Sequence, residues 1–391
     1  MTRIKTAMFI IRKNKTKGIT VNILIFNWRD IKHPRAGGAE VHLHGIFEPI
    51  AKAGNKIFVV SSGFAGGAAK ENINGIQIIR VGNEMSYPFE VWKNFKKYEE
   101  EFSPDIIYED FNKLPLFTPI ITKRPKLIQM HHLWLTSIFR EASFIAACIV
   151  WLGEQTLRFF YRNEQFVVVS DSSKKELKRY GIKDEKIEII HNGIDDNFYV
   201  PSPERDVEKC EKYLLFVGRL QKYKGILDVC ETFEKVLKKF PDLKLKIAGN
   251  GTFRAKLQKW IKKRNFNEKI SLLGFISQDE KLRLLQRAFL LVQPSYKEGW
   301  GLTVIEANAC GVPVVANNAP GLCDSVVDGK TGLLYKFGDT CDAAKKIIEL
   351  IENPQKYGEL SSNCLTWSQK FKWQKASDET FNLLKKIIAK N

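Results

Sequence analysis

In the stretch 297-KEGWGLTVIEANACGVPVVAN-317 two carboxylates, Glu298 and Glu306, stand eight positions apart among glycine, small and apolar residues. Burying a carboxylate without a partner is costly. A packed helix-and-strand unit has no use for such a pair, but a hydroxyl-rich ligand does, because each carboxylate accepts two or more hydrogen bonds. Gly299 and Gly301 flank the first acid and let backbone come close to a ligand. A helix is expected from near Leu302 until before Gly311, with Pro313 barring continuation. Its unpaired first-turn N–H groups make an anion site, with Glu298 at the mouth and Glu306 further along, able to share that face. Either acid alone could serve the helix dipole or a lysine. The pair, its glycines and the GVPVV strand behind them point to a ligand.

A second constellation is 216-FVGRLQKYKG-225. A strand delivers Gly218, a loop carries Arg219 and Lys224, and Gly225 opens a helix. Two cations and a helix N-terminus around one point suit a diphosphate, Arg through its planar fork and Lys as a point charge. A third is 27-NWRDIKHPRAGGAEVHLHG-45, a long loop ending in Gly37-Gly38 at a helix start, a second anion-accepting end. No GxGxxG follows either lead strand, which weighs against a nicotinamide or flavin site. His131 and His132 follow 126-KLIQM-130, at the carboxyl end of a strand, where function concentrates. His33, His42 and His44 form no metal-binding pattern, and His191 before Asn192-Gly193 reads as a tight turn.

The elements that must carry these residues alternate along the chain. Short β-rich runs and amphipathic helices predict an α/β fold with parallel sheets. Strands are expected at 21–26, 56–61, 76–81, 105–110, 126–130, 166–170 and 187–190, with a helix over 39–53 stopped by Gly54. Ser172 or Ser173 is expected to cap the helix KKELKRY. The polar loop 195–212 marks a domain boundary. Strands then restart at 213–218, 243–249, 270–275, 289–294 and 312–317, and a lysine-rich amphipathic helix closes the chain from about Phe371. Two Rossmann-like halves place a ligand in the cleft between them, at the carboxyl ends of the strands.

Bulk properties fit this division. The chain has 391 residues, too many for one ordinary core, and 44% hydrophobic with 27% charged residues describes a folded globular protein. A formal charge of +18 calls for an anionic partner: a phosphorylated small molecule, an anionic bilayer face or nucleic acid. No zinc-finger spacing, RNP signature or long arginine run is present, which disfavours nucleic acid. Seven cysteines without a CxxC pair fit free thiols in a reducing compartment. The N-terminal AMFII is too short for a leader core and no run is long enough to span a bilayer, so a cytoplasmic protein, soluble or peripherally attached, is expected.

The residue set closely resembles the retaining nucleotide-sugar glycosyltransferases of family four, which have the two-Rossmann GT-B fold. The carriers are GGAE at 37–40, VSDSSKKEL at 169–177, IHNGID at 190–195, VGRLQKYKG at 217–225, IAGNG at 247–251 and EGWGLTVIE, the family's E-x7-E, at 298–306. The resemblance covers essentially the whole chain. It implies an acceptor-binding domain over 1–200, onto which the closing helix 371–391 packs back, and a donor-binding domain over 211–370. It further implies that Arg219 and Lys224 bind the donor diphosphate, with Gly218 in the same loop. Glu306 would hold the ribose hydroxyls and Glu298 those of the transferred sugar. The amides of Gly301, Leu302 and Thr303 would hold phosphate, Gly38 would approach the donor, His131 would contact the sugar, and Phe275-Ile276 would meet the nucleobase. A nucleotide sugar would be the co-substrate, with no metal.

The acceptor is expected to be a glycan or a lipid-linked saccharide. Segment 138-IFREASFIAACIVWLGEQTLRFFYR-162 joins an apolar run to aromatics and flanking arginines, a composition suited to a bilayer surface. A buried helix over Phe144–Leu152 would account for its apolar centre alone. Two other readings compete with transfer: a nucleotide-sugar 2-epimerase on the same fold, and a catalytically silent sugar-nucleotide binder.

Overall fold

The computed structural model describes residues 20–112, 114–199 and 212–391. The basic N-terminal segment and most of the 195–212 loop lie outside these residues. The chain forms two compact units, one of residues 1–129 with 377–391 and one of 130–376.

The first unit contains β1 (Asn22–Phe26), α1 (Gly38–Lys52), β2 (Lys56–Ser62), β3 (Lys70–Ile73), β4 (Ile76–Val81), α2 (Tyr87–Phe102), β5 (Ile106–Phe111) and most of β6 (Lys126–Met130). The strands lie in the order β3-β4-β2-β1-β5-β6, parallel where β1 meets β2 and β5, with β3 antiparallel on β4. Both faces of β1 and β5 are buried, as expected of strands covered on both sides; β1 runs apolar rather than alternating, while β5 buries Glu109 and Asp110 near its carboxyl end. The β1–α1 loop is pinned by a buried bidentate pair, Arg80 Nε to Asp30 Oδ2 at 2.7 Å and Arg80 Nη2 to Asp30 Oδ1 at 2.9 Å. Gly54, at φ +92°, ends α1 as expected.

The second unit begins with α3 (Phe144–Gln155), β7 (Gln165–Val168), α4 (Asp171–Arg179) and β8 (Ile187–Ile189). Then follow β9 (Tyr213–Val217), α5 (Ile226–Leu237), β10 (Lys244–Ala248), α6 (Arg254–Lys263), β11 (Ile270–Gly274), α7 (Gln278–Arg287), β12 (Leu290–Gln293), α8 (Leu302–Ala309), β13 (Val314–Asn317), β14 (Gly332–Tyr335), α9 (Thr340–Glu352) and α10 (Pro354–Ser368). The last six strands form one sheet in the order β11-β10-β9-β12-β13-β14. Counted from β9 this is the doubly wound order, whose switch point lies between β9 and β12. Strand period two divides the core: Leu214 and Phe216 of β9 join Phe233 and Ile247, while Leu215 and Val217 join Leu291, Val304 and Val314 on the other face. The closing helix α11 (Trp373–Lys390) passes from the second unit into the first, where Ser377 Oγ donates to Ile46 O at 2.7 Å.

Several local expectations change. The α4 cap is Ser170, whose Oγ accepts from Ser173 N at 3.2 Å, because the helix starts at Asp171. His191-Asn192-Gly193 is not a turn. His191 stacks on Trp300, and a Cβ at Gly193 would lie 2.2 Å from Trp373 N, so close approach of two chain segments explains the glycine. The compact units divide at 129/130 and 376/377. Residues 130–199 join the second unit through contacts such as Lys297 Nζ to Glu176 Oε1 at 2.7 Å. Phe144–Leu152 is not a buried helix: Phe144 and Ile145 are each 74% exposed, and Ile149 and Leu152 are exposed as well.

Candidate active site

The two chemistry-bearing loops leave the carboxyl ends of β9 and β12, neighbours at the switch point, which is why residues far apart in sequence meet. Gly218 N donates to Ala248 O at 3.0 Å, and the second loop of IAGNG packs on it. A Cβ at Gly249 would stand 1.9 Å from Gly218 O, and one at Gly251 would stand 2.3 Å from Leu220 O. Only glycines allow that approach. Beyond Arg219 the chain makes a single 3-10 turn over Lys222–Lys224 and reaches Gly225 in the left-handed region, the N-cap of α5.

Lys224 Nζ sits 2.5 Å from Glu298 Oε1, with both side chains largely buried. Burial lowers the Lys224 ammonium, but the Glu298 charge, Tyr223 and the hydrogen bond to Glu298 outweigh it and hold the group above its ordinary value. The pair is therefore a fixed charge couple at the switch point. Arg219 Nη2 donates to Tyr223 Oη at 2.9 Å. Tyr223 meets Trp134 edge to face at 5.4 Å, and Trp134 meets His132 the same way at 5.2 Å. One aromatic row thus joins the arginine to the histidine segment. Burial, then the charges of Lys297, His131, Lys224 and Arg219, push the His132 imidazole well below its usual range, so it is neutral at physiological pH.

Glu298 N donates to Pro320 O at 3.1 Å, and Gly321, at φ +81°, passes so close that a Cβ there would lie 2.3 Å from Glu298 O. Gly299 is packed likewise, its would-be Cβ 2.8 Å from His131 O. Gly301, at φ +91°, then caps α8 without a side chain, leaving the Leu302 and Thr303 amides at an unblocked helix start. Glu306 lies on α8 and pairs through Oε1 with Lys281 Nζ of α7 at 2.6 Å. Its Oε2 is buried with no hydrogen-bond partner among the described residues. An orphaned buried carboxylate oxygen matches a donor that a ligand hydroxyl could supply.

Ile276 follows β11 and packs partly buried against the β9–β12 core, while Phe275 beside it is exposed. His131 is buried, and its carbonyl accepts from Ser173 Oγ at 2.6 Å. Gly38 stands in the first unit as the first residue of α1, where Glu40 Oε2 accepts the Gly37 N–H at 2.6 Å. The second unit brings Arg219, Lys224, Glu298 and the His131–Trp134 segment together in one network. It places Glu306 with Lys281 on the same sheet's helices.

The Glycosyltransferase Family 4 model matches residues 36–198, and the Glycosyl transferases group 1 model matches 202–366. The chain belongs to the family-four glycosyltransferases. An uncharacterised glycosyltransferase of Methanocaldococcus jannaschii is 26% identical over 371 residues, 89% of this chain and 94% of that protein. Other curated relatives are matched over only about half of their own length. Sucrose-phosphate synthase from Thermosynechococcus elongatus superposes with a TM-score of 0.81 at 21% identity, covering 94% of this chain and 99% of that one. Anabaena HepE, solved with UDP-glucose, superposes at 0.74 with 22% identity, covering 93% and 99%. These likenesses show the fold, two Rossmann-like α/β domains of GT-B type.

Within this family frame the sequence reading passed over Lys281, Lys297, Tyr223, Trp134, Glu176 and Gly321. Lys281 and Glu176 sit on helices, where lysines and glutamates look like solvated faces in one dimension; only the fold turns these two inward. Gly321, in 317-NNAPG-321, carried a turn signal that could have been noticed.

Proposed function

We propose that this chain moves a hexose-type sugar from a nucleotide-sugar donor to a glycan or lipid-linked saccharide, with retention of anomeric configuration. The observation that carries this is the Lys224–Glu298 couple beside Arg219 at the sheet's switch point. Arg219 and Lys224 take the donor diphosphate, helped by the amides of Gly301, Leu302 and Thr303. Glu306 grips the ribose, Glu298 the transferred sugar, Gly218 and Ile276 line the nucleotide, and His131 completes the sugar's surroundings. The sugar C1–oxygen bond to the diphosphate breaks with its electrons on the leaving group. The acceptor oxygen bonds to C1 on the same face, and its proton passes to a diphosphate oxygen. The two cations stabilise the departing charge, so the reading calls for no resident metal. An epimerase would convert a nucleotide sugar without an acceptor, and a silent binder would convert none.

The test is a thermal-shift screen of nucleotide sugars followed by assay for nucleoside diphosphate release. A ligand at 100 times its Kd stabilises by about 2.7 kcal/mol. No shift from any nucleotide sugar would overturn the reading, and a new sugar nucleotide without acceptor would favour the epimerase.

For the acceptor side, α3 supports contact with an anionic bilayer. Its apolar side points out: Phe144, Ile145, Ile149 and Leu152 are exposed, and so are Phe159 and Phe160 beyond it. Arg140, Arg158 and Arg162 around them are exposed too. No helix among the described residues is long and apolar enough to cross a membrane, so this surface would lie on the lipid, as at a cytoplasmic face. Cosedimentation with phosphatidylglycerol vesicles at low salt should be strong and fall several-fold in an Ile145→Glu, Ile149→Glu variant. Equal recovery with neutral vesicles, or a stable dimer that buries these residues, would contradict it.

A further inference from the structure

The helix carrying that apolar surface turns its one carboxylate inward. Glu154 of α3 is 1% exposed, and both its oxygens accept consecutive backbone amides: Trp134 N to Oε1 at 2.5 Å and Leu135 N to Oε2 at 2.8 Å. The preceding amide is taken as well, Leu133 N donating to Oε2 of buried Glu176 at 3.0 Å. Three successive N–H groups just after the histidine pair are thus held by two buried acids. Leu135 sits at φ +52°, a left-handed conformation that a β-carbon-bearing residue keeps only when its surroundings impose it. Glu176 is tied through Oε1 to Lys297, the neighbour of Glu298. Trp134 is the residue whose ring leads through Tyr223 to Arg219.

We propose that Glu154 is a positioning residue for transfer: its carboxylate holds the Trp134–Leu135 backbone so that the histidine pair and the Trp134–Tyr223–Arg219 row stay aligned. A neutral, uncharged turn would close a loop equally well. A carboxylate accepting two amides makes shorter, stronger and more directional bonds than a neutral acceptor would. Burial pushes the Glu154 carboxyl up to about 7, against the two amide bonds and Lys297, which lower it. The other groups facing it are Glu176, which raises it, and Tyr180, whose hydroxyl the Glu154 charge pushes up in turn; Tyr180 Oη is held by Gln155 Nε2 at 3.1 Å. The fully accepting form therefore dominates above about pH 7 and weakens below.

This inference rests on the donor-site reading above, and its test separates the two. In wild-type protein, hydrogen exchange of the 131–136 backbone through local openings that leave Glu154 buried, corrected for its intrinsic pH dependence, should speed up several-fold as pH falls from 8 to 6; unchanged protection would overturn the proposal. In Glu154→Gln, release of nucleoside diphosphate from the donor found by the screen should show kcat lowered tenfold or more, KM within about threefold, and the rise of kcat through pH 7 abolished. A loss confined to melting temperature, or an unaltered pH profile, would make Glu154 structural only. If wild-type protein releases nothing from any nucleotide sugar, the functional reading fails while the exchange result still decides the clamp.

Discussion

Lys224 and Glu298, 74 positions apart, share a 2.5 Å ion pair because their loops leave adjacent strands of a doubly wound sheet. The pair keeps a buried ammonium charged. Without Glu298, burial and the Arg219 charge pull Lys224 down against Tyr223. In Glu298→Gln, nucleotide affinity should therefore weaken as pH rises from 7 to 9, while wild-type affinity stays level over that range. Titration calorimetry at the two pH values checks this; parallel profiles would show that Glu298 does not sustain the charge.

Glu306 presents one oxygen to Lys281 and one with no partner among the described residues. Glu306→Ala should weaken binding of the ribonucleotide about tenfold, equivalent to about 1.4 kcal/mol. The variant should bind a dideoxyribose analogue as well as wild type does. A cycle of the two proteins and two ligands measures the coupling directly.

Gly321 holds a left-handed conformation against the Glu298 carbonyl, so its freedom is steric as well as torsional. Gly321→Ala should cost about 1–3 kcal/mol of stability by urea unfolding. Turnover should fall further than the loss of folded protein explains, since the displaced backbone carries Glu298.

Glu154 also has a stability signature. Its carboxyl moves from 4.5 to about 7 on folding, chiefly through burial, so between those values the native state keeps a proton that the unfolded chain has lost. Its contribution is present below pH 4.5 and is lost as pH rises to about 7. The stability of wild type relative to Glu154→Gln should therefore decline by up to about 3 kcal/mol from pH 4.5 to 8. A pH-independent difference would contradict the assigned ionisation.

What the sequence disclosed follows from what is local. Glycine-flanked charges on strand-to-helix loops announced Glu298, Arg219 and Lys224, and strand periods placed the loops that carry them. Strands such as β4 and β6 fall where their apolar runs begin and end. The buried ion pairs around those charges carry no local mark: Lys281 of α7 meets Glu306, and Glu176 of α4 meets Lys297, only once the fold brings distant segments together. Helix α3 inverted the usual rule by turning Glu154 in and Phe144 and Ile145 out, so apolar composition suggested burial where the surface stands. Gly193 looked like a turn because Asn-Gly has two uses, and only the neighbouring chain at Trp373 distinguishes them.

The central claim is that two basic side chains receive a sugar nucleotide's diphosphate. The most direct measurement compares calorimetric affinities for a nucleoside diphosphate and its parent nucleoside in wild type and in Arg219→Ala, Lys224→Ala. Wild type should prefer the diphosphate on the order of 100-fold or more, and the double variant should lose nearly all of that preference. An undiminished preference in the double variant would place the diphosphate elsewhere and contradict the account.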